Sequence, residues 1–438
     1  MNVSVPDIVN NKLCTGCGVC VSESGGTLQM KWDRHGFLVP QQIGSSLQQK
    51  AINVCPFNPQ PKSDIADEDK LATIFLNNAK NADDKIGRFE NTYIGYSHKF
   101  RKTSSSGGIA TYIFEELLSE KIVDHLFIVK EVCGTYEYQL FDNIDEITKI
   151  SKTRYIPVTL EKLFEEINTV EGKVAISGVA CFIKAIRLKQ YYHPELREKI
   201  PFLLGIICGG LKSRFFSDFL AQSSGISKKY HDQEYRIKDE NSTSSDYSFG
   251  AFDKKDTFHQ MKMSKVGDMW GTGLFKSNAC DFCTDVLTEL ADISLGDAWL
   301  PEYRSEGLGN SVIITRSKLA DQLITQGIAN KKLRVEIVNK DQIIKSQKSS
   351  FTHRQDGIKF RILVAKLMRK QIPYIRKRVL SPISISFAFV QFQRIRTRNK
   401  SLVYWEQTKN VFLFNKKMKI ELKVLSLLTR INHKLRKK

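Results

Sequence analysis

The sequence predicts an α/β chain (α+β overall) in three parts: a small cysteine-rich front, a two-lobed mixed α/β body and a basic helical tail. Three observations predict it. Cysteines crowd the front at metal-ligand spacing. Short apolar strands then alternate with amphipathic helices from about residue 91 to 328. Beyond residue 350 the chain turns strongly basic.

The front opens on CTGCGVC, which sets Cys14, Cys17 and Cys20 with two residues between neighbours. A cubane [4Fe–4S] cluster takes four thiolates, and the two-cluster bacterial ferredoxin pattern reads C-x2-C-x2-C-x3-C-P twice, each last cysteine serving the other cluster. Here the local fourth position is Ser24, while Cys55-Pro56 supplies a second C-P ending. Counting back from Cys55, the other ligand positions are Ser45, Gln48 and Ala51. The losses remove all four ligands of one cluster, and Cys14, Cys17, Cys20 and Cys55 keep all four of the other. Residues 1–62 therefore read as a ferredoxin-like domain with one [4Fe–4S] cluster. A zinc knuckle is the competing use, although zinc sites usually take two ligands from each of two knuckles.

Residues 63–87 are polar and acidic and read as a linker. NTYIGYSH (91–98) reads as a strand. The Ser/Gly loop that follows runs into a helix carrying Ile109, Tyr112, Ile113 and Leu117 at helical spacing. Such a helix start suits a phosphate or pyrophosphate, or is an ordinary capped helix. HLFIVKEV (125–132) is a strand ending at Cys133, and 151–167 leads into an amphipathic helix. KVAISG (173–178) and PFLLGIICGG (201–210) are buried strands around a helix opened by Cys181 and reaching about residue 192. Strand–helix–strand units make parallel strands, which would set Cys181 and Cys208 on one sheet edge, where ligands bind. Cys280 and Cys283 form a C-x2-C knuckle before strands near 291–295 and 311–317 and a helix over 318–328. Cys181, Cys208, Cys280 and Cys283 thus make a second set of four, for an iron–sulfur cluster, for zinc, or as buried small residues; Cys133 is left over.

The N-terminus lacks the pattern of a signal peptide, and no run of 18 apolar residues occurs, so the expected compartment is the cytoplasm, where cysteines serve metals more often than disulfides. The net charge of +20 lies wholly in the tail: residues 351–438 hold 23 Lys/Arg against Asp356, Glu406 and Glu421. Phe360, Leu363, Leu367 and Ile372 set against Arg361, Lys366, Arg369 and Lys370 predict a basic amphipathic helix up to Pro373, and 417–438 predicts a second. Such helices lie on anionic lipid at the inner face of a membrane, bind acidic partners, or pack on the body as a solvated appendage. Nothing in the pattern supplies a nucleic-acid-binding fold.

Taken in order, CTGCGVC with a later CP, SSSGGIA, SKTRYIPV, SGVACF, ICGG and CDFCTDVLTELADISLGDAW resemble the coenzyme F420 hydrogenase/dehydrogenase beta-subunit family, over about residues 10–330. The resemblance implies an FAD-bearing iron–sulfur oxidoreductase with body domains at 88–170 and 171–335 and a tail at 336–438. It implies a redox partner protein or ferredoxin-type donor and a small-molecule substrate. The family's flavin-contacting elements fall on Ser106, Gly107 and Gly108, on Ser151, Lys152 and Tyr155, on Lys276, and on Gly296 and Asp297; its cluster cysteines fall on Cys181, Cys208, Cys280 and Cys283. Bacterial members with basic tails resemble accessory proteins of polysaccharide assembly, which points to that biosynthesis. The usual Gly-Thr-Pro-Cys-Gln reads Gly178-Val179-Ala180-Cys181-Phe182 here, and Cys-His-Gly reads Cys208-Gly209-Gly210. These departures weigh against coenzyme F420 itself and leave a non-catalytic electron-transfer or docking subunit, or a zinc-stabilised interaction protein, as alternatives. No catalytic acid or base is singled out by spacing.

Overall fold

The computed structural model describes residues 3–44, 49–132 and 134–436; Ser45, Gln48 and Cys133 lie outside the described residues. The front holds helix α1 (Val5–Asn10), a hairpin of β1 (Leu28–Trp32) and β2 (Leu38–Gln42), and two 3-10 turns. Its buried Val5, Ile8, Leu13, Val19, Val54 and Phe57 join the core of the body, so the front packs as part of the molecule.

The 63–87 stretch is not a free linker. Asp67 caps helix α2 (Glu68–Phe75), on which Leu71 is fully buried, and Ile86 is buried further on. The stretch looks polar because α2 buries only one side and its acids pair with distant basic residues.

One eight-stranded mixed sheet organises the body. Its strands are β3 (Thr92–Ser97), β4 (His125–Val132), β5 (Thr135–Phe141), β6 (Val174–Val179), β7 (Phe202–Ile206), β11 (Ile293–Asp297), β12 (Ser311–Thr315) and β13 (Leu333–Ile337), in the order β13-β3-β12-β11-β7-β6-β4-β5. The central β11, β7, β6 and β4 are parallel, and the strands outside them are antiparallel. Side chains alternate across the sheet with period two. Phe127, Ile176 and Leu203 face the layer of α4 (Ala180–Tyr192), while Leu126, Ala175 and Leu204 face α3 (Ile109–Ser119) and α6 (Lys318–Ala329). All four apolar positions read on α3 are buried.

Strands from both sides of residue 170 share this sheet. The second lobe is a separate antiparallel sheet of β8 (Tyr230–Ile237), β9 (Ser248–Asp253) and β10 (Phe258–Lys262), packed with α5 (Arg214–Ser223). Its core also takes in Trp405 of α8 (Ile385–Thr408) and Phe414 and Met418 of α9 (Val411–Leu435). The helix expected within 151–167 is a single turn, Leu163–Glu166.

The first tail helix, α7 (Ile358–Leu367), ends before the expected Pro373 and turns the other way round. Leu363 and Leu367 are exposed, 53% and 76%, whereas Arg361 is 2% exposed. Its guanidinium donates to the Asp281 carbonyl at 2.6 Å, to the His353 and Arg354 carbonyls and to Gln391 Oε1, so each nitrogen of the buried charge has a partner.

Candidate functional site

The four front cysteines line one cavity with Val5, Ile8, Leu13, Pro40 and Phe57. The loop carrying three of them depends on glycine. Gly18 has φ +79°, and a Cβ there would lie 2.1 Å from Thr159 Oγ1, while Leu160 N donates to the Cys17 carbonyl at 2.8 Å. Gly16 N donates to Cys14 Sγ at 3.3 Å. Burial pushes the Cys14, Cys17 and Cys55 thiols up to about 12, and Cys20 well above the ordinary range. Buried thiols of this kind are poor nucleophiles but suit metal ligation, which draws off the proton. At two positions where the two-cluster pattern has cysteines, Ser24 is fully buried, its hydroxyl donating to the Val21 carbonyl and accepting from Leu28 N, and Ala51 is packed in the core.

The second set assembles at the carboxyl edge of the parallel strands. Cys181 opens α4 directly after β6, and Cys208 follows β7. The knuckle brings Cys280 and Cys283 to them: Cys283 and Cys280 each raise the Cys181 thiol, behind burial, and Cys208 raises Cys280. Gly210 N donates to Cys208 Sγ at 3.2 Å and Leu211 N to Cys280 Sγ at 3.1 Å, the sulfur hydrogen bonds that tune cluster ligands. Pro56 and Phe57 line both the front cavity and the pocket that Cys181 and Cys283 line, so the two sets adjoin. Among the described residues no group of three or more His, Cys, Asp or Glu side chains is placed to hold a single metal ion; each set does supply the four thiols whose thiolates a cubane cluster takes.

The tail closes the second set from outside, which nothing in the local pattern foretells. Arg354 Nη1 donates to Cys283 Sγ at 3.4 Å and to the Asp285 carbonyl at 2.7 Å, and its Nη2 donates to the Cys208 carbonyl. Burial opposes its charge, but the neighbouring Cys283, Cys208 and Cys280 sulfurs outweigh that and favour the charged form. Lys276 sits at this knuckle, paired with Asp281 at 2.7 Å and donating to His353 Nε2 at 2.6 Å. It is therefore a neighbour of the cysteines rather than of the Ser/Gly loop.

A cluster of basic side chains, Lys152, Arg236 and Lys238, gathers around the Ser/Gly loop and the end of β11. Gly108, at φ +82°, turns the Ser/Gly loop into α3; Gly107 N donates to Ser311 Oγ at 3.0 Å and Ser106 Oγ to the Asn310 carbonyl. Thr111 Oγ1 donates to Ser151 Oγ and Thr153 N to Ser105 Oγ, which joins the 151–153 segment to that loop. Lys152 pairs with Glu234 on β8 at 2.9 Å. Asp297, at the end of β11, pairs with Arg236 of β8 at 2.5 Å, and Gly296 packs on Ile207, where a Cβ would lie 2.9 Å away. Two donors here, Arg236 Nε and Asn310 Nδ2, are buried without a hydrogen-bond partner. Lys238 donates to the Ser106 and Arg101 carbonyls and is pushed down to about 7 by burial and by Arg236 and Arg101. The unpaired donors and the depressed lysine fit an anionic group such as a pyrophosphate. Tyr155 stands between these basic side chains and the cysteines: its ring meets Trp270 at 4.9 Å, and Trp270 covers Gly209. Sequence reading missed Arg236, Lys238, Asn310, Trp270 and Arg354; only the period-two placement of Arg236 and Lys238 on one strand face offered a signal.

Models of one family match both halves of the body. The coenzyme F420 hydrogenase/dehydrogenase beta subunit N-terminal model matches residues 92–165, and the C-terminal model residues 171–341. The chain belongs to this family. It is 24% identical over 244 residues to the coenzyme F420 hydrogenase subunit beta of Methanosarcina barkeri, covering 52% of this chain and 75% of that protein. It is 22% identical over 331 residues to the coenzyme F420-dependent sulfite reductase of Methanocaldococcus jannaschii, covering 72% of this chain but only 46% of that protein. A chain of the F420-reducing [NiFe] hydrogenase complex from Methanosarcina barkeri shares the fold, with TM-score 0.51 and 19% identity over 67% of this chain and 99% of its own. The family models end before Lys348–Leu435, so the tail is outside them.

Proposed function

We propose that this family member is an oxidoreductase that passes electrons between two [4Fe–4S] clusters and FAD, to or from a small substrate. The observation that carries the reading is the contiguity of three sites: Pro56 and Phe57 line both the front-cysteine cavity and the pocket of Cys181 and Cys283, and Trp270, which covers Gly209, meets Tyr155 beside the basic side chains. Cys14, Cys17, Cys20 and Cys55 would hold one cluster, and Cys181, Cys208, Cys280 and Cys283 the other. Ser106, Gly107, Gly108, Ser151, Lys152, Gly296 and Asp297, with Arg236 and Asn310, would hold the flavin; Lys276 supports the cysteines instead. Bound flavin handles electron pairs and bound clusters single electrons, which is the chemistry the set would supply.

The chain's own residues do the rest. Leu13, Val19 and Phe57 keep water from the front cysteines. Arg354 and the Gly210 and Leu211 amides offset negative charge at the second set. Arg236 and Lys238 orient the anionic part of the cofactor. Domain limits follow the same reading: 1–62 carries the front cluster, the body runs to about residue 335, and the tail buttresses it.

A second reading, an electron-transfer or docking subunit without substrate chemistry of its own, is favoured by the apolar neighbours Ala180 and Phe182 flanking Cys181. Iron, acid-labile sulfide and flavin analysis of anaerobically purified protein separates the two. About eight iron and eight sulfide with one FAD per chain supports the first reading. About four iron without flavin leaves the second, and colourless zinc-bearing protein overturns both.

A further inference from the structure

The tail's charge is not all available to a partner. Arg354, Arg361, Arg376 and Arg398 are each no more than 4% exposed and are turned inward; Arg398, for example, pairs with Asp281 at 2.8 Å. Six of the cations left facing outward, Lys416, Lys417, Lys419, Lys423, Arg430 and Lys434, lie on α9. Its one acid, Glu421, is buried against α8 and paired with Arg396 and Lys400.

The same helix carries two apolar rows. Phe414, Met418 and Leu425 face the body and α8 and are buried. Ile420, Val424, Leu427, Ile431 and Leu435 form a second row at four- and three-residue steps and are exposed, Ile420 by 71% and Leu427 by 59%. At about 100° per residue this row lies beside the lysines and away from the buried row. The neighbouring α8 adds Ile385, Phe389 and Phe392, all exposed and opposite its buried Phe387, Val390 and Trp405.

We propose that the α8–α9 hairpin docks the protein on an anionic lipid surface, with the Ile420–Leu435 row inserted at the headgroup boundary and the flanking lysines on the phosphates. The charge decides the occupant: a large exposed apolar row marks an interaction site, and one flanked only by cations is repelled by a second copy of itself but attracted to anionic headgroups. No helix among the described residues is long and apolar enough to cross a membrane, so contact is at the surface. The proposal stands apart from the redox reading, since lipid binding needs no cofactor.

The test is flotation of the full-length protein with vesicles of phosphatidylcholine alone or in equal parts with phosphatidylglycerol. The protein is expected to float with the anionic vesicles at low salt, to release at high salt and to ignore the neutral ones. Lys419→Gln and Lys423→Gln should each weaken partition about fivefold, from about 1 kcal/mol per charge. Leu427→Glu with Ile431→Glu should abolish it while leaving the circular dichroism unchanged, since both side chains are exposed. Failure to float with anionic vesicles, or equal binding by all variants, overturns the proposal. So does a dimer in sedimentation that Leu427→Glu with Ile431→Glu dissolves, which would make the row a contact between copies.

Discussion

Cys55 and Arg354 show how single residues act here across long stretches of chain. Cys55 lines the same cavity as Cys14, Cys17 and Cys20. Cys55→Ala should lower iron by about four per chain while flavin stays bound, read by iron and flavin analysis; unchanged iron would remove Cys55 from the ligand set. Arg354 reaches Cys283 Sγ from the tail. Electron density on a ligand sulfur is lowered by a charged donor, so Arg354→Met should lower the potential of one cluster by about 60–120 mV, the one-electron equivalent of a charge-assisted hydrogen bond. Redox titration followed by electron paramagnetic resonance checks this, with Arg354→Lys recovering part of the shift. The cysteine spacing was legible in the sequence because ligand spacing within a loop is local. Arg354 was not, because no periodicity links it to a knuckle 71 residues away.

At the scale of elements, α2 and the α8–α9 hairpin decide two readings. A free linker would tolerate any substitution, but Leu71 is fully buried in the main core. Leu71→Ala should therefore cost about 2–5 kcal/mol in denaturant unfolding. In the hairpin, hydrogen bonds from Arg396, then from Lys400 and Gln393, hold the Glu421 carboxyl down to about 2 against an ordinary 4.5. Because the folded value is the lower one, this stabilisation is present above about pH 4.5 and is lost as pH falls toward 2. Glu421→Gln should remove about 1 kcal/mol at neutral pH, the upper end for partly exposed pairs, and flatten the acid limb of the thermal melting profile. The strands and α3 were readable from period and apolar content. The inverted face of α7 was not, because an arginine with its hydrogen bonds satisfied packs inside as well as a leucine does.

Across the whole molecule, Arg376 ties α2, the segment after the knuckle and the tail together. It is 1% exposed, bidentate to Glu289 at 2.7 and 2.8 Å, and paired with Glu68 and Asp69 of α2. Arg376→Met leaves buried carboxylates unpaired and should destabilise the protein by about 3–5 kcal/mol, well beyond the half-exposed Arg378→Met, as measured by denaturant unfolding. This network makes the tail part of the fold: the residues after 341, outside the family models, lock the second cysteine set and α2 into one body.

The sequence by itself determined which residues are chemically equipped: two sets of four cysteines, a Ser/Gly loop before a helix, six of the eight strands of the main sheet and the site of the excess charge. Each is written in spacing or composition over a few residues. Only the tertiary structure decided that the two cysteine sets meet, that strands on both sides of residue 170 share one sheet, that Arg236 and Asn310 gather around the Ser/Gly loop and the end of β11, and that much of the tail's charge points inward. Those are facts of packing between segments distant in the chain. Burial and hydrogen-bond satisfaction settle them, and neither is encoded in any local pattern.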